Sequence, residues 1–407
     1  MNCRHCRIPL NHTFLDLGSA PPSNAYLSNN DLSKPEKHYP LKIKVCQACW
    51  LVQTEDYADA GELFNSEYAY FSSTSSSWLN HAKLFSEEMI KRLNLNSDSF
   101  VVEVASNDGY LLKNFIASHI PCLGIEPTAS TVAAAEKLGI PVLSEFFSEE
   151  LGKRLSNLGK KADLIIGNNV YAHVPDINDF TRGVKALLKS GGVVTLEFPH
   201  LMKMIENSQF DTAYHEHFSY LSLYTVNQIF SAAGLRLWHA EELSTHGGSL
   251  RVYGCHIEDD RETELSVSKI LNEEDMRNLQ NLKAYLDFQS HADKIKNDLL
   301  IFLIDQKRAG KKVVAYGAAA KGNTLLNYAG VKPDLLPYVC DAAPAKQGKY
   351  MPGSHIPILH PDRIITDSPD YILILPWNIA EEIQEQYHNL TGSGTHFVTA
   401  VPKLTIL

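Results

Sequence analysis

Five consecutive residues, Tyr214-His215-Glu216-His217-Phe218, place a phenol, a carboxylate and two imidazoles side by side. Removing a proton from carbon needs a base that titrates near neutral pH, a group that orients it, and a donor for the oxyanion that develops. All three chemistries are present in this stretch. In an extended chain, alternation would send Tyr214, Glu216 and Phe218 to one face and His215 and His217 to the other. A turn would gather a different set. Taken alone, the stretch also fits a polar loop whose histidines are satisfied locally, and either histidine is chemically able to act as a base.

A second constellation lies at the start of the chain. Cys3/Cys6 and Cys46/Cys49 are CxxC pairs, while Cys122, Cys255 and Cys340 sit in apolar runs and read as small buried hydrophobes. The N-terminus lacks the apolar core of a signal peptide, so paired CxxC elements point to metal rather than disulfides. The first 50 residues are loop-rich, with little helical periodicity. Such a piece buries too little surface to hold itself together, and Zn²⁺ on four thiolates would supply the missing free energy. The 39 residues between Cys6 and Cys46 exceed the spacer of a simple zinc ribbon. A redox role is disfavoured because neither pair lies at a strand-to-helix junction.

Between these constellations the pattern becomes alternating strands and helices. A helical stretch at 79–93 precedes the buried strand 100–105 (FVVEVA), the turn SNDGY and a helix beginning LLKNFI. Strands at 122–125, 141–143, 163–167 and 192–198 alternate with helices at 129–138, 148–158 and 177–188. Such units predict a parallel sheet covered on both faces, with ligands beyond the carboxyl ends of its strands. The candidate contacts are therefore Glu103, Ser106, Asn107, Asp108 and Gly109 after the first strand, Glu126 after the second, and Asn168 and Asn169 after the fourth. An acidic residue at the end of the second strand is placed to accept hydrogen bonds from ribose hydroxyls, a device common to nicotinamide and S-adenosylmethionine (SAM) sites. Residues 235–256 read as two antiparallel strands around His246-Gly247-Gly248. Residues 264–306 read as a long charged helical connector. A second α/β unit starts at Lys312, with strand VVAYG, turn AAAKGN and strands at 336–340 and 371–375. Two separate phosphate-loop-like turns suggest two nucleotide-like ligands.

At 407 residues the chain exceeds what one core usually supports. Its make-up, 44% hydrophobic and 21% charged, is that of a globular protein. A net charge of −10 argues against a nucleic-acid partner. No run is long and apolar enough for a membrane span, so a cytoplasmic protein, monomeric or weakly dimeric, is expected.

The series YAYFSSTSSSW, EVASNDGYLL, NNVYAHVPD, FDTAYHEHFSYLS, THGGSLR, YGAAAKGNTLLN and PAKQGKYMPGSHIPI follows the zinc-like module in order. Together they resemble the bacterial SAM-dependent C-methyltransferases that act on nucleotide-linked deoxy-keto-sugars, over nearly the whole chain. The resemblance implies a class I methyltransferase (Rossmann-like) α/β domain at 71–260, preceded by a zinc-binding module at 1–70. A Rossmann-like α/β domain that binds the nucleotide sugar, most simply dTDP-linked, would follow at 261–407. It implies methylation at C3 beside a C4 ketone, with His217 as base, Glu216 orienting it and Tyr214 contacting the substrate. His173 matches another active-site histidine, and Tyr70 and Ser73 line the donor and acceptor pockets. Asn107, Asp108, Glu126 and Asn169 would hold SAM. Lys321, Asn323, Lys349 and His215 are the remaining substrate contacts expected. Thr74 stands where an aromatic residue is usual. Competing expectations are a nicotinamide-dependent sugar oxidoreductase, a zinc-ribbon RNA methyltransferase and a non-catalytic nucleotide-sugar sensor; neither turn carries a full GxGxxG.

Overall fold

The computed structural model describes residues 1–57, 71–392 and 394–407; Tyr68 and Tyr70 lie outside them. In chain order the strands are β1 (His12–Ala20), β2 (Tyr39–Val45), β3 (Val52–Thr54), β4 (Val101–Val104), β5 (Cys122–Ile125), β6 (Val142–Leu143), β7 (Ala162–Asn168), β8 (Leu188–Pro199), β9 (Ser219–Tyr220), β10 (Leu235–Leu243) and β11 (Ser249–His256). β12 (Val313–Tyr316), β13 (Val339–Cys340), β14 (Ile358–Leu359), β15 (Tyr371–Ile374), β16 (His396–Thr399) and β17 (Thr405–Ile406) follow.

The central sheet has the order β10-β11-β8-β7-β4-β5-β6. Its β4–β8 strands are parallel, and β11 runs against both β8 and β10. All four residues of β4 are buried, as expected where helices cover both faces. One reversed strand inserted beside an otherwise parallel set is the class I methyltransferase arrangement. Two of its helices start on clear side-chain caps: Asp176 accepts from the N–H groups of Asn178 and Asp179, and Ser222 accepts from that of Thr225.

The C-terminal sheet, β14-β13-β12-β15-β16-β17, is parallel up to its last strand. The N-terminal sheet is β1-β2-β3-β9, so it takes its fourth strand from far along the chain. β9 directly follows the Tyr-His-Glu-His segment. The zinc-like module is thus built partly from residues that sequence order assigns to the methyltransferase domain.

The connector is not one helix. It breaks into Leu265–Met276, Lys283–Leu286 and Phe288–Arg308. Asn278 takes a left-handed conformation (φ 59°) and the Leu279 N–H closes on the Glu274 carbonyl, which ends the first helix. The break lets Phe288 stack on Phe14 of β1, ring centroids 4.5 Å apart. Phe14, Leu15, Phe210, Phe288, Leu299, Val313 and Leu326 belong to one hydrophobic core, which joins the first sheet, the connector and the C-terminal domain. Each such ring or aliphatic side chain contributes about 1.5–3 kcal/mol by burial. The three parts are therefore packed as one body.

Candidate active site

The four N-terminal thiols converge. The sulfurs of Cys3, Cys6, Cys46 and Cys49 lie within 4.8 Å of one another. The two knuckles are congruent: Arg7 N–H bonds to Cys3 O at 3.0 Å, and Trp50 N–H to Cys46 O at 2.9 Å. Both Arg7 (φ 63°) and Trp50 (φ 61°) are left-handed. Four buried or half-buried thiols at this separation fit the roughly 2.3 Å bonds of a tetrahedral Zn²⁺ centre. With all four positions filled by sulfur, the ion is structural.

The long spacer between the knuckles is explained by its contacts. Residues 21–38 lie across the C-terminal domain: Tyr26 donates to Ala318 O at 2.5 Å, Leu27 bridges to Tyr350, and Glu36 pairs with His355 at 2.9 Å. Asn24 reaches the Tyr-His-Glu-His segment itself, donating to Glu216 Oε1 at 3.2 Å.

That segment is a turn. His217 N–H bonds to Tyr214 O at 2.9 Å, which brings the Tyr214 ring against His217, centroids 3.9 Å apart. His215 leaves the group and donates Nε2–H to Tyr39 O at 3.2 Å. The expected orienting role of Glu216 differs from what is seen. His217 is held by Thr212 O, 2.9 Å from Nδ1, while Glu216 bonds Asn24 and keeps Oε2 buried without a partner among the described residues. Burial raises the Glu216 pKa. A carbonyl only accepts, so Nδ1 of His217 carries the proton and Nε2 is its basic nitrogen. His173 is arranged alike, its Nδ1 2.7 Å from Glu216 O, and its ring is 4.6 Å from that of His217. Burial pushes His173 down to about 4. Burial, then His173 and Lys321, push His217 well below 6.5.

The ends of β4, β5 and β7 form an acid-lined neighbouring site. Ala105 (φ 56°), Asn107 (φ 50°), Gly109 (φ 79°) and Asn169 (φ 53°) are all left-handed, which turns the chain sharply at the strand ends. Glu126 accepts from Asn107 N–H at 3.0 Å and Thr128 N–H at 2.9 Å. It therefore shapes the loop. Ser72 N–H donates to Asn107 Oδ1 and Ser73 N–H to Asp108 Oδ2, at 2.9 and 3.0 Å. Ser106 Oγ, Asp108 Oδ1, both side-chain polar atoms of Asn168, and Asn169 Oδ1 are buried without hydrogen-bond partners among the described residues. Burial and then Asp108 and Glu126 raise the Glu103 pKa. Unpartnered polar atoms beside the acids Asp108 and Glu126 fit SAM, which carries a sulfonium and an ammonium.

The turn His246-Gly247-Gly248 reaches the same site. There His246 (φ 54°) places Nε2 3.2 Å from Asn169 Nδ2 and its ring 5.2 Å from Trp78. Glu197 supports the same turn, accepting from Thr245 Oγ1, His81 and Arg251 at 3.0, 2.9 and 2.7 Å. From the C-terminal domain, Lys321 Nζ donates to His246 O at 3.3 Å and Asn378 Oδ1 at 3.1 Å, and lies 4.5 Å from the Trp377 ring centre. Trp377 Nε1–H donates to Asp211 Oδ2 at 2.7 Å. The other two contacts expected from this domain are not brought here. Asn323 is buried, its amide donating to Ser23 O at 2.7 Å, so it fastens the spacer. Lys349 is half-buried beside the Leu27–Tyr350 bridge. Asp211, Trp377, Asn24 and Thr212 were not singled out from sequence, because no local spacing connects them to the histidines.

Three family models match in succession: a zinc binding domain over residues 3–64, a methyltransferase domain over 79–240 and a C-methyltransferase C-terminal domain over 244–402. The C-methyltransferase NovU of Streptomyces niveus is 31% identical over 405 residues, 99% of this chain and 96% of that protein. Among solved structures, a SAM-dependent methyltransferase from Clostridium acetobutylicum is 11% identical and covers 43% of this chain and 91% of its own, with a TM-score of 0.35. Magnesium protoporphyrin IX methyltransferase from Synechocystis, with bound SAH, is 13% identical over 43% of this chain and 81% of its own, with a TM-score of 0.34. Similarity to NovU over nearly the whole chain, the order of the family matches and the cysteine cluster agree: this chain belongs to the C-methyltransferases, as a SAM-dependent enzyme with a structural zinc module.

Proposed function

We propose that the enzyme methylates C3 of a nucleotide-linked 4-keto-deoxyhexose, with dTDP as the favoured nucleotide. The observation that carries this reading is the pair His217 and His173, each fixed through Nδ1 on a main-chain carbonyl and kept neutral by burial. A carbon beside a ketone is acidic enough for imidazole only if the oxygen that gains charge is stabilised. His217 Nε2 takes the C3 proton as the C3–H bond breaks, and the electron pair delocalises onto the ketone oxygen. Tyr214, its ring tilted against His217, contacts the sugar. Burial above all, with the Lys321 cation adding to it, holds the imidazolium at low pKa, so His217 gives up its proton readily after turnover. Glu103, Ser106, Asn107, Asp108, Gly109, Glu126, Asn168 and Asn169 hold SAM, with Ser73 closing over Asp108. SAM would supply the electrophilic methyl group, which the enolate carbon takes as the methyl–sulfur bond breaks and S-adenosylhomocysteine leaves.

The oxidoreductase alternative needs a dinucleotide at the second crevice. There Asp341, at the end of β13, accepts from Ala318 N–H at 2.7 Å and Ala343 N–H at 2.8 Å, and Lys346 Nζ lies 2.8 Å from Ala318 O. With Tyr26 on the same carbonyl, the chain's own groups occupy that strand end. The test is incubation with SAM and a dTDP-linked 4-keto-deoxyhexose, followed by mass and NMR analysis. A methyl group on C3 supports the reading. Methylation at another carbon overturns the position, and NAD⁺ binding without SAM binding overturns the reaction.

A further inference from the structure

Lys321 occupies an electrostatically unusual place. It is the second residue of the helix Ala320–Ala329, where the positive end of the helix dipole disfavours a cation by about 0.3–1 kcal/mol. Among the described residues no carboxylate lies within ion-pair distance of its ammonium. Its hydrogen-bond partners are neutral, His246 O and Asn378 Oδ1, and Trp377 supplies a π face. An ammonium has three N–H donors, and the described contacts use two. The nearest acid that acts on it, Asp211, is already engaged by Trp377 Nε1–H and is raised by burial to about 6. Lys321 itself is pushed down to about 8 by burial, against the pull of Asp211. A cation without a direct ion pair among the described residues is held here by the C-terminal domain, close enough to lower the pKa of both His217 and His246.

This placement suits one task better than phosphate binding. The three histidines around it, His173, His217 and His246, all have lowered pKa values, and neutral imidazoles bring no charge. The step assigned to His217 leaves a negative charge on the ketone oxygen, and the cluster contains one cation to meet it among the described residues. We propose that Lys321 is a catalytic residue that donates a hydrogen bond to the acceptor's ketone oxygen and stabilises the enolate formed as His217 removes the adjacent proton. Lys321 remains protonated throughout; the proton released from carbon resides on His217. The assignment rests on the C-methylation reading above, and deepens it by giving the oxyanion a partner.

The test uses the full-length enzyme as Lys321→Met and Lys321→Arg, with two readouts. The first is calorimetric affinity for dTDP alone. The second is deuterium wash-in at the acceptor carbon of a dTDP-linked 4-keto-deoxyhexose, with S-adenosylhomocysteine in place of SAM so that proton removal is seen without methyl transfer. Loss of one oxyanion donor slows reactions by roughly 10²–10³-fold. Lys321→Met should slow exchange on that scale while dTDP affinity holds, and Lys321→Arg should recover part of the rate. Weakened dTDP binding with parent-like exchange at saturation would make Lys321 a phosphate contact and overturn the proposal. If Lys321→Met does not fold, Lys321→Arg decides: parent-like exchange with weakened dTDP binding overturns it, and slowed exchange with intact binding supports it. A parent enzyme that binds SAM but exchanges no such substrate sinks the C-methylation reading, and the assignment with it.

Discussion

The imidazoles of His173 and His217 meet edge to face, ring centroids 4.6 Å apart, and the same device orients both. Each donates Nδ1–H to a main-chain carbonyl, Glu216 O for His173 and Thr212 O for His217. A carbonyl fixes the tautomer without supplying negative charge, unlike a carboxylate partner. Burial then dominates and both rings stay neutral, so each is a weak base held ready rather than a cation awaiting deprotonation.

His217→Asn should lower kcat by roughly 10²–10⁴-fold, the usual contribution of a positioned general base. His215→Asn should leave kcat close to the parent value, since His215 faces Tyr39. Steady-state kinetics on the two variants checks this directly, and equal losses would return the base to an open question.

The pH profile should be displaced at both limbs. His173, at about 4, and His217, well below 6.5, keep their bases free on mild acidification. On the alkaline side Lys321 loses its charge near 8, so kcat should fall above that pH. Stability has its own sign. With folded pKa values below 6.5, unfolded histidines bind protons that the folded ones refuse, so stability drops as pH falls from about 6.5 toward 4. Rate–pH and melting–pH curves separate the two effects.

Removing zinc should inactivate the enzyme without touching a reacting group. β9 begins two residues after His217 and pairs with β3 of the zinc-bearing sheet. Loss of the ion frees the knuckles and, through β3, the anchor of the Tyr214–His217 turn. Activity and hydrogen-exchange protection at Ser219–Tyr220 should fall together on chelation and return with Zn²⁺.

Gly247→Ala should loosen the domain contact. At φ 88° an added Cβ would stand 2.3 Å from Trp377 Cη2, so Trp377 must move from Asp211 or the turn must open. Displacements near 1 Å at a site cost up to roughly 10²-fold in rate. A fall in kcat/KM with SAM affinity retained would place the effect at the acceptor side.

Glu197→Gln should destabilise the fold by about 3 kcal/mol, the lower end of the range for breaking a buried ion pair, because Arg251 keeps Glu241 at 2.9 Å. His81 and Arg251 hold the Glu197 carboxyl down to about 2 against its burial. The contribution is thus present at neutral pH and fades only below about 4.5. Denaturant midpoints at pH 7 and pH 4 check both parts.

Much was legible in the chain because its signals are local. Apolar runs at 100–105 and 163–167 set the parallel strands, and CxxC spacing set the knuckles. The asparagines and acids at the ends of β4, β5 and β7 could be named as candidates because strand ends carry ligands in this kind of sheet. What the sequence could not rank were residues joined only by folding. Nothing in the order Tyr-His-Glu-His says that a turn pairs Tyr214 with His217 and sends His215 to Tyr39. Nothing in the spacer says that Asn24 will bond Glu216, or that Asn323 and Lys349 will serve the spacer's side of the molecule rather than the histidines. Thr212, Asp211, Trp377 and Lys321 reach the site from three segments distant in sequence or bent back on themselves. Side-chain periodicity and motif spacing are properties of neighbouring residues. Charge, tautomer and pKa depend on what packs around a group, and only the tertiary structure decides that.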